Sequence, residues 1–246
     1  MRSLWKLTCL ELKLFLRDPA AVFFSLGFPL MVMVLFGSMF GNRPIRDLGG
    51  KGFVDRMIPG YTAMVIGTTG LVSLATVVSS YREKGVFRRQ RATPLRPPVI
   101  LAAQVLVHFV MTAAGMAILV VIGELVYGLR LQGSLINVLP AFVLSSLSIF
   151  GLGFVLASVM PTARSAQTSS MVVYFPMMFL SGSVIPAPLP ETIQRYAQVL
   201  PLTHVVNLLR GLWEGGAWSA HLKEVGILAG LLVVCVIVSA KTFRWE

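Results

Sequence analysis

Residues 81–98 read YREKGVFRRQRATPLRPP, and this charged segment decides the fold because of what stands on either side of it. Before it, Ile58–Ser80 is an apolar run, and after it Val99–Ile122 is another, neither holding an aspartate, lysine or arginine. A bilayer core about 30 Å thick needs roughly 20 such residues in helical form. Two membrane crossings joined by a short basic loop are therefore expected. The same ruler, moved outward, marks Ala20–Phe40, Ile136–Met160, Gln167–Val184 and Val225–Ala240. Pro176 lies inside the fifth run, where a kink is expected.

The expected fold is thus an all-α integral membrane protein with six transmembrane helices in one domain over residues 1–246. The composition agrees. Hydrophobic residues make up 56% and charged residues only 13%, against about a quarter charged in soluble proteins. A soluble enzyme, a disordered regulator and a disulfide scaffold are excluded together. The two cysteines, Cys9 and Cys235, stand at opposite ends of the chain and read as small hydrophobes with no metal or redox spacing.

The net charge of +11 is not that of a nucleic-acid binder, since the cations lie between apolar runs and no basic patch is interleaved with stacking aromatics. Counted on alternate sides of the six runs, thirteen cations share the side of both termini and of the 81–98 loop, and eight lie opposite. The positive-inside rule then places both termini in the cytoplasm; the expected location is a prokaryotic plasma (inner) membrane, crossed several times. The first run is too long for a cleavable signal and lacks a cleavage site after it.

Residues 3–17 precede the first run and are amphipathic. At 100° per residue, Arg2, Lys6, Lys13 and Arg17 fall within about 60° of each other. An interfacial helix with its cations on the lipid headgroups is expected, ended by Asp18-Pro19.

The basic loop itself carries more than topology requires. As a helix over about 82–93, it puts Lys84, Arg88 and Arg91 on one face and Arg82 with Arg89 on another. Glu83, Val86 and Phe87 project between them. An apolar knob in a charged rim suits insertion into a groove on a soluble partner.

At this point a family resemblance applies. Arg82 through Arg96 resembles the first cytoplasmic loop of ABC-2 type transporter permeases, with Glu83, Gly85 and Arg88 at its recognisable positions. Val86 replaces the commoner Ser or Thr, and Gln90 the commoner Leu. Glu11-Leu12-Lys13 followed by Leu16-Arg17-Asp18-Pro19 resembles the family's opening. Pro201, His204 and Arg210 resemble its element before the last span. The resemblance covers essentially the whole chain. It implies the permease subunit of an ATP-driven exporter, with Arg82, Glu83, Lys84, Gly85, Val86, Phe87, Arg88 and Arg91 coupling it to a separate ATP-binding cassette subunit. A second permease copy or close homologue, and membrane lipid, are the other implied partners. ATP and Mg would sit on the cassette subunit, and this chain would bind no cofactor. It also implies that residues 190–215 form an external helical hairpin dipping toward the bilayer.

The chain carries no ATPase of its own by motif. Near Gly50-Lys51 the spacing of a phosphate-cradling loop fails, because Gly52 follows and Ile45 stands where the first glycine belongs. His108, His204 and His221 lack ligand spacing, and no nucleophile elbow is present. His108 reads as a helix–helix hydrogen-bonding residue. No catalytic, metal or cofactor-binding residue is assigned. Aromatics and methionines around Pro176 fit either a packed core or an adaptable apolar pathway. On the second reading Tyr61, Tyr174, Phe175 and Met178 line it. That lining favours an amphipathic or hydrophobic cargo, drug-like or lipid-like. A polysaccharide or glycolipid exporter of the same family, and a non-transporting relay of ATPase motion, are the alternatives.

Overall fold

The computed structural model describes residues 2–44, 50–86, 97–184 and 195–242. Eight helices account for most of them: α1 (Arg2–Leu16), α2 (Pro19–Phe40), α3 (Phe53–Glu83), α4 (Pro97–Tyr127), α5 (Leu135–Val159), α6 (Ala163–Leu180), α7 (Pro201–Trp213) and α8 (Trp218–Thr242). The chain is all-α, as expected.

Among the described residues five helices, α2, α3, α4, α5 and α8, are long and apolar enough to cross a membrane. The expected fifth span, Gln167–Val184, corresponds to α6, which starts earlier and ends at Leu180. With Arg164, Gln167 and four hydroxyl residues in its first half, α6 falls short of that apolarity. The helix continues through Pro176.

Helix α3 is the centre of the bundle. Its apolar window is 78% buried, against 11% for α8 at the periphery, and α2, α4, α5, α6 and α7 all pack on it. Small residues permit this. A Cβ on Gly153 of α5 would collide with the backbone carbonyl of Gly70, and one on Gly67 would meet the Tyr174 ring. Peripheral helices instead leave Met31, Leu35, Val233 and Val236 exposed, a surface suited to acyl chains.

Two helices contain one π-helical turn each, Phe23–Gly27 in α2 and Thr68–Ser73 in α3. A π turn inserts an extra residue and re-aims the side chains around it. The two turns pack against each other.

Helix α1 lies along α4 with Thr8, Glu11 and Phe15 buried. These positions stand opposite the cation stripe on the wheel, so the cations point away from the bundle. Trp5, Leu10, Leu14 and Leu16 on the two flanks stay exposed. Asp18 then caps α2, its Oδ1 accepting from the amides of Ala20 at 3.1 Å and Ala21 at 3.0 Å.

Candidate functional site

One end of the bundle gathers α1, the last turn of α3, and the tight turn between α5 and α6. Arg82 and Glu83 finish α3 rather than opening a separate helix. This is a correction to the expected 82–93 boundary, and its cause is that the helix of the second span does not stop at Ser80. The break comes at Lys84–Gly85, where Gly85 takes a φ of 64° that disfavours a Cβ. Val86 follows, and Phe87, Arg88 and Arg91 lie outside the described residues.

The terminal turn of α3 grips the α5–α6 junction from both sides. The guanidinium of Arg82 donates to the carbonyls of Ser158, at 3.3 Å, and Met160. Those are acceptors at the C-terminus of α5, where a cation is favoured. Glu83 Oε2 accepts from the Ala163 amide at 2.8 Å, at the N-terminus of α6, where an anion is favoured. Thr162 caps the same end, its Oγ1 accepting from Ser165 N at 3.1 Å. Neighbouring residues of opposite charge thus satisfy opposite ends of two helix dipoles.

One turn back, Tyr81 donates from its hydroxyl to Glu11 of α1. The segment that the sequence marks as a coupling element is therefore joined to α1, α5 and α6 at once. Sequence reasoning missed Glu11 as a partner, although its place opposite the cations of α1 was the signal. It also missed Ser158, Met160 and Ala163, whose roles are played by backbone atoms that no side-chain pattern reveals.

A groove of about 130 Å³ lies between α2, α3 and α6. Both π turns reach it, with Phe24 and Ser25 from one and Thr68, Val72 and Ser73 from the other, while Tyr174 and Phe175 come from α6. Of the four expected lining residues, Tyr61, Tyr174 and Met178 are packed into the core at 1%, 2% and 1% exposure, whereas Phe175 is 42% exposed. Tyr174 donates to the Met64 carbonyl at 3.2 Å, and Tyr61 Oη has no hydrogen-bond partner among the described residues. Tyr174 and Phe175 thus border the groove, and Tyr61 and Met178 are not among its lining residues.

The Pro201, His204 and Arg210 element has a structural role. Pro201 opens α7, where its missing N–H costs nothing. His204 Nε2 bonds the Gln198 carbonyl at 2.8 Å, and Arg210 donates to the Gly182 carbonyl at 3.0 Å. Together they fasten α7 to the turn before it and to the end of α6. Most of α7 is buried, so it enters the bundle rather than resting on its surface; residues 190–194 of the expected hairpin lie outside the described residues. Burial and the like charge of Arg56 lower Arg210 to about 10, with Glu214 opposing. At the same end Lys51 pairs with Glu214 at 2.7 Å. Buried Asp55 accepts from Asn42 Nδ2 and from Arg130 N, each at 2.9 Å.

His108, 1% exposed, ties α4 to the π turn of α3: Nδ1 lies 2.8 Å from the Gln104 carbonyl and Nε2 3.4 Å from Ser73 Oγ.

A buried central helix and apolar outer helices long enough to cross a bilayer mark a multi-pass membrane protein. The ABC-2 type transporter family model matches residues 2–213, and the chain belongs to that family. It is 26% identical over 229 residues to the daunorubicin resistance ABC transporter permease protein DrrB1 of Streptomyces coeruleorubidus, covering 91% of this chain and 78% of that protein. It is 28% identical over 231 residues to nodulation protein J of Bradyrhizobium diazoefficiens, covering 86% and 87%. A probable multidrug ABC transporter permease, YbhS of Escherichia coli, is 20% identical over 162 residues, covering 65% and 43%. The chain is accordingly a membrane-embedded ABC-2 permease.

Proposed function

We propose that this chain is the transmembrane half of an ATP-driven exporter, moving an amphipathic or hydrophobic molecule out of the cytoplasm or the inner leaflet. A separate ATP-binding cassette subunit, holding ATP and Mg, docks on the segment from Arg82 to Arg91, with both termini on the same cytoplasmic side. A second permease copy or close homologue completes the pathway. The observation that carries this reading is the grip of Arg82 and Glu83 on the α5–α6 turn. A docked subunit that displaced Gly85 would pull the ends of α3, α5 and α6 together.

The cargo class is read from the groove between α2, α3 and α6, whose walls are chiefly apolar and whose π turns leave backbone free to adjust. A chain for long glycans would present its tyrosines as open stacking platforms. Here Tyr61 and Tyr174 are buried. Similarity to a daunorubicin resistance permease and a probable multidrug permease points the same way.

The test is reconstitution of the permease with its cassette subunit in liposomes, measuring uptake of a fluorescent amphiphile into inside-out vesicles on addition of ATP. ATP-dependent accumulation is expected, and it should be lost in the double variant Glu83→Ala, Phe87→Ala while membrane insertion persists. Normal transport by that double variant overturns the docking assignment. ATP hydrolysis with no movement of any amphiphile overturns export.

A further inference from the structure

Ser73 belongs at once to the π turn of α3 and to the wall of the apolar groove, and it is the residue that His108 of α4 meets. The direction of that bond follows from the other side of the ring. His108 Nδ1 lies 2.8 Å from the Gln104 carbonyl, which can only accept, so Nδ1 carries the proton. In the neutral imidazole Nε2 is then an acceptor, and the Ser73 hydroxyl, 3.4 Å away, donates to it.

The neighbouring hydroxyls behave differently. Thr68 Oγ1 donates to the Met64 carbonyl at 3.0 Å, and Thr76 Oγ1 to the Val72 carbonyl at 2.7 Å. Both also line the groove, yet each bonds its own helix, the ordinary habit of a hydroxyl in that setting. Ser73 instead bonds a second helix. The ring that receives it is itself held. Phe15 of α1 meets the imidazole edge-on with centroids 5.7 Å apart, and Phe150 of α5 does so at 6.5 Å.

This hold matters because a π turn is out of register with the helix around it. Its closing bond runs from the Leu74 amide to the Thr69 carbonyl, five residues back, where an α turn would use the amide of Ser73. Irregular backbone of this kind persists where its surroundings fix it, and π turns recur at functional sites. On the α5 side the Phe150 ring fills the space beside Gly70, and a Cβ there would come within 2.5 Å of it. On the α4 side the hold is His108 on Ser73. The remaining side faces the groove, to which Thr68, Val72 and Ser73 are presented.

We propose that His108 is a positioning residue for the groove: by accepting the Ser73 hydroxyl it keeps the α3 π turn in register and so sets the wall against which cargo lies. His108 is not itself among the residues lining the groove, so it acts through Ser73. The inference rests on the reading of this groove as part of the export pathway.

Two readouts test it. Hydrogen–deuterium exchange of the segment 68–75 is followed in the purified full chain, and KM and kcat for ATP-driven uptake of ethidium and of a dansyl-labelled lysolipid are measured in proteoliposomes holding the permease and its cassette subunit. Ser73→Ala and His108→Leu each speed exchange of the segment and raise KM about fivefold, the worth of one side-chain hydrogen bond, with kcat within about twofold of wild type. The double variant is no worse than either single one. His108→Gln, whose amide oxygen can take the same hydroxyl, keeps KM close to wild type. So does Thr112→Val, which removes a 2.6 Å bond to the His108 carbonyl within α4. A merely structural His108 would lower yield and kcat together and leave KM alone. That result, unaltered exchange, additive effects of the two substitutions, or failure of glutamine to restore KM overturns the inference. Val72→Trp, which fills the groove, separates the two readings. If it blocks uptake while Ser73→Ala and His108→Leu keep the wild-type KM, the inference falls and the groove stands. If it leaves uptake unchanged, or if neither probe moves with ATP, the groove reading fails and the inference falls with it.

Discussion

Replacing Glu83 by glutamine removes one negative charge from a contact of 2.8 Å with the Ala163 amide. A hydrogen bond to a charged group is worth about 1.5–3 kcal/mol in a buried setting. Glu83 is exposed, and Thr162 still caps α6, so the lower scale of helix capping, about 1 kcal/mol, is the better guide. For a chain of this length that corresponds to a fall in Tm of about 2–4 °C. The same 1 kcal/mol, lost from the link between α3 and α6, changes the population of a joined end about fivefold. Cargo moved per ATP hydrolysed should therefore fall by about that factor, while pull-down of the cassette subunit stays near normal, because the removed contact lies within the permease. Proteoliposome uptake measured with phosphate release gives the ratio. Two results would refute the reasoning: an unchanged ratio with weakened pull-down, or an unchanged ratio and Tm together. The first would make Glu83 a docking residue and nothing more.

Gly153→Ala places a methyl group against the Gly70 backbone carbonyl; backbone cannot rotate away, so a loss of about 3 kcal/mol should appear as a sharp fall in monodisperse yield. Asp55→Ala leaves the Arg130 N–H without its acceptor, while the Asn42 amide keeps the Tyr127 carbonyl at 3.2 Å; about 2 kcal/mol should lower Tm by roughly 4–8 °C in a thermal-shift assay. For Arg210, lowered to about 10 from 12.5, the unfolded chain holds the proton more tightly than the fold does. The cost of burying that cation is present below the folded pKa and relieved above it. The Tm of the wild type relative to Arg210→Gln should therefore improve as pH rises from about 10 toward 12.5.

Much of the architecture was legible because apolar length is a one-dimensional property. Ala20–Phe40 and Ile136–Met160 each match their helix within a residue, since hydrocarbon thickness sets both ends. Helix α6 was harder to place, because its first half is polar, with Arg164, Gln167 and Thr168 exposed, and its start is set by a cap at Thr162. The wheel of α1 located its cations but could not say which of the remaining faces meets the bundle. The answer, Thr8, Glu11 and Phe15, includes an acid that composition would place in water. The π turns at Phe23–Gly27 and Thr68–Ser73 left no signal, as one extra residue per turn does not interrupt a long uncharged run. The Pro201, His204 and Arg210 spacing was visible, but its partners are carbonyls at Gln198 and Gly182, and carbonyls have no letter in a sequence.

The two ends of α3 are held in opposite ways, and this bears on how it would move. At the Asp55 end the acceptors are themselves locked: Asn42 both donates to and accepts from Asp55, and Lys51 reaches across to Glu214. At the Glu83 end the contacts of Arg82 and Glu83 are to backbone termini of other helices, which can follow as a unit. Between them the chain packs by glycine, with Gly70 against α5 and Gly67 against Tyr174, and a π turn at Thr68–Ser73 supplies the one stretch whose hydrogen-bond register is already irregular. A displacement applied at Gly85 would meet a fixed outer end and a close-packed middle. The compliant element is then the π turn that borders the groove, so stiffening that turn should impair transport more than it alters docking at Arg82 and Glu83.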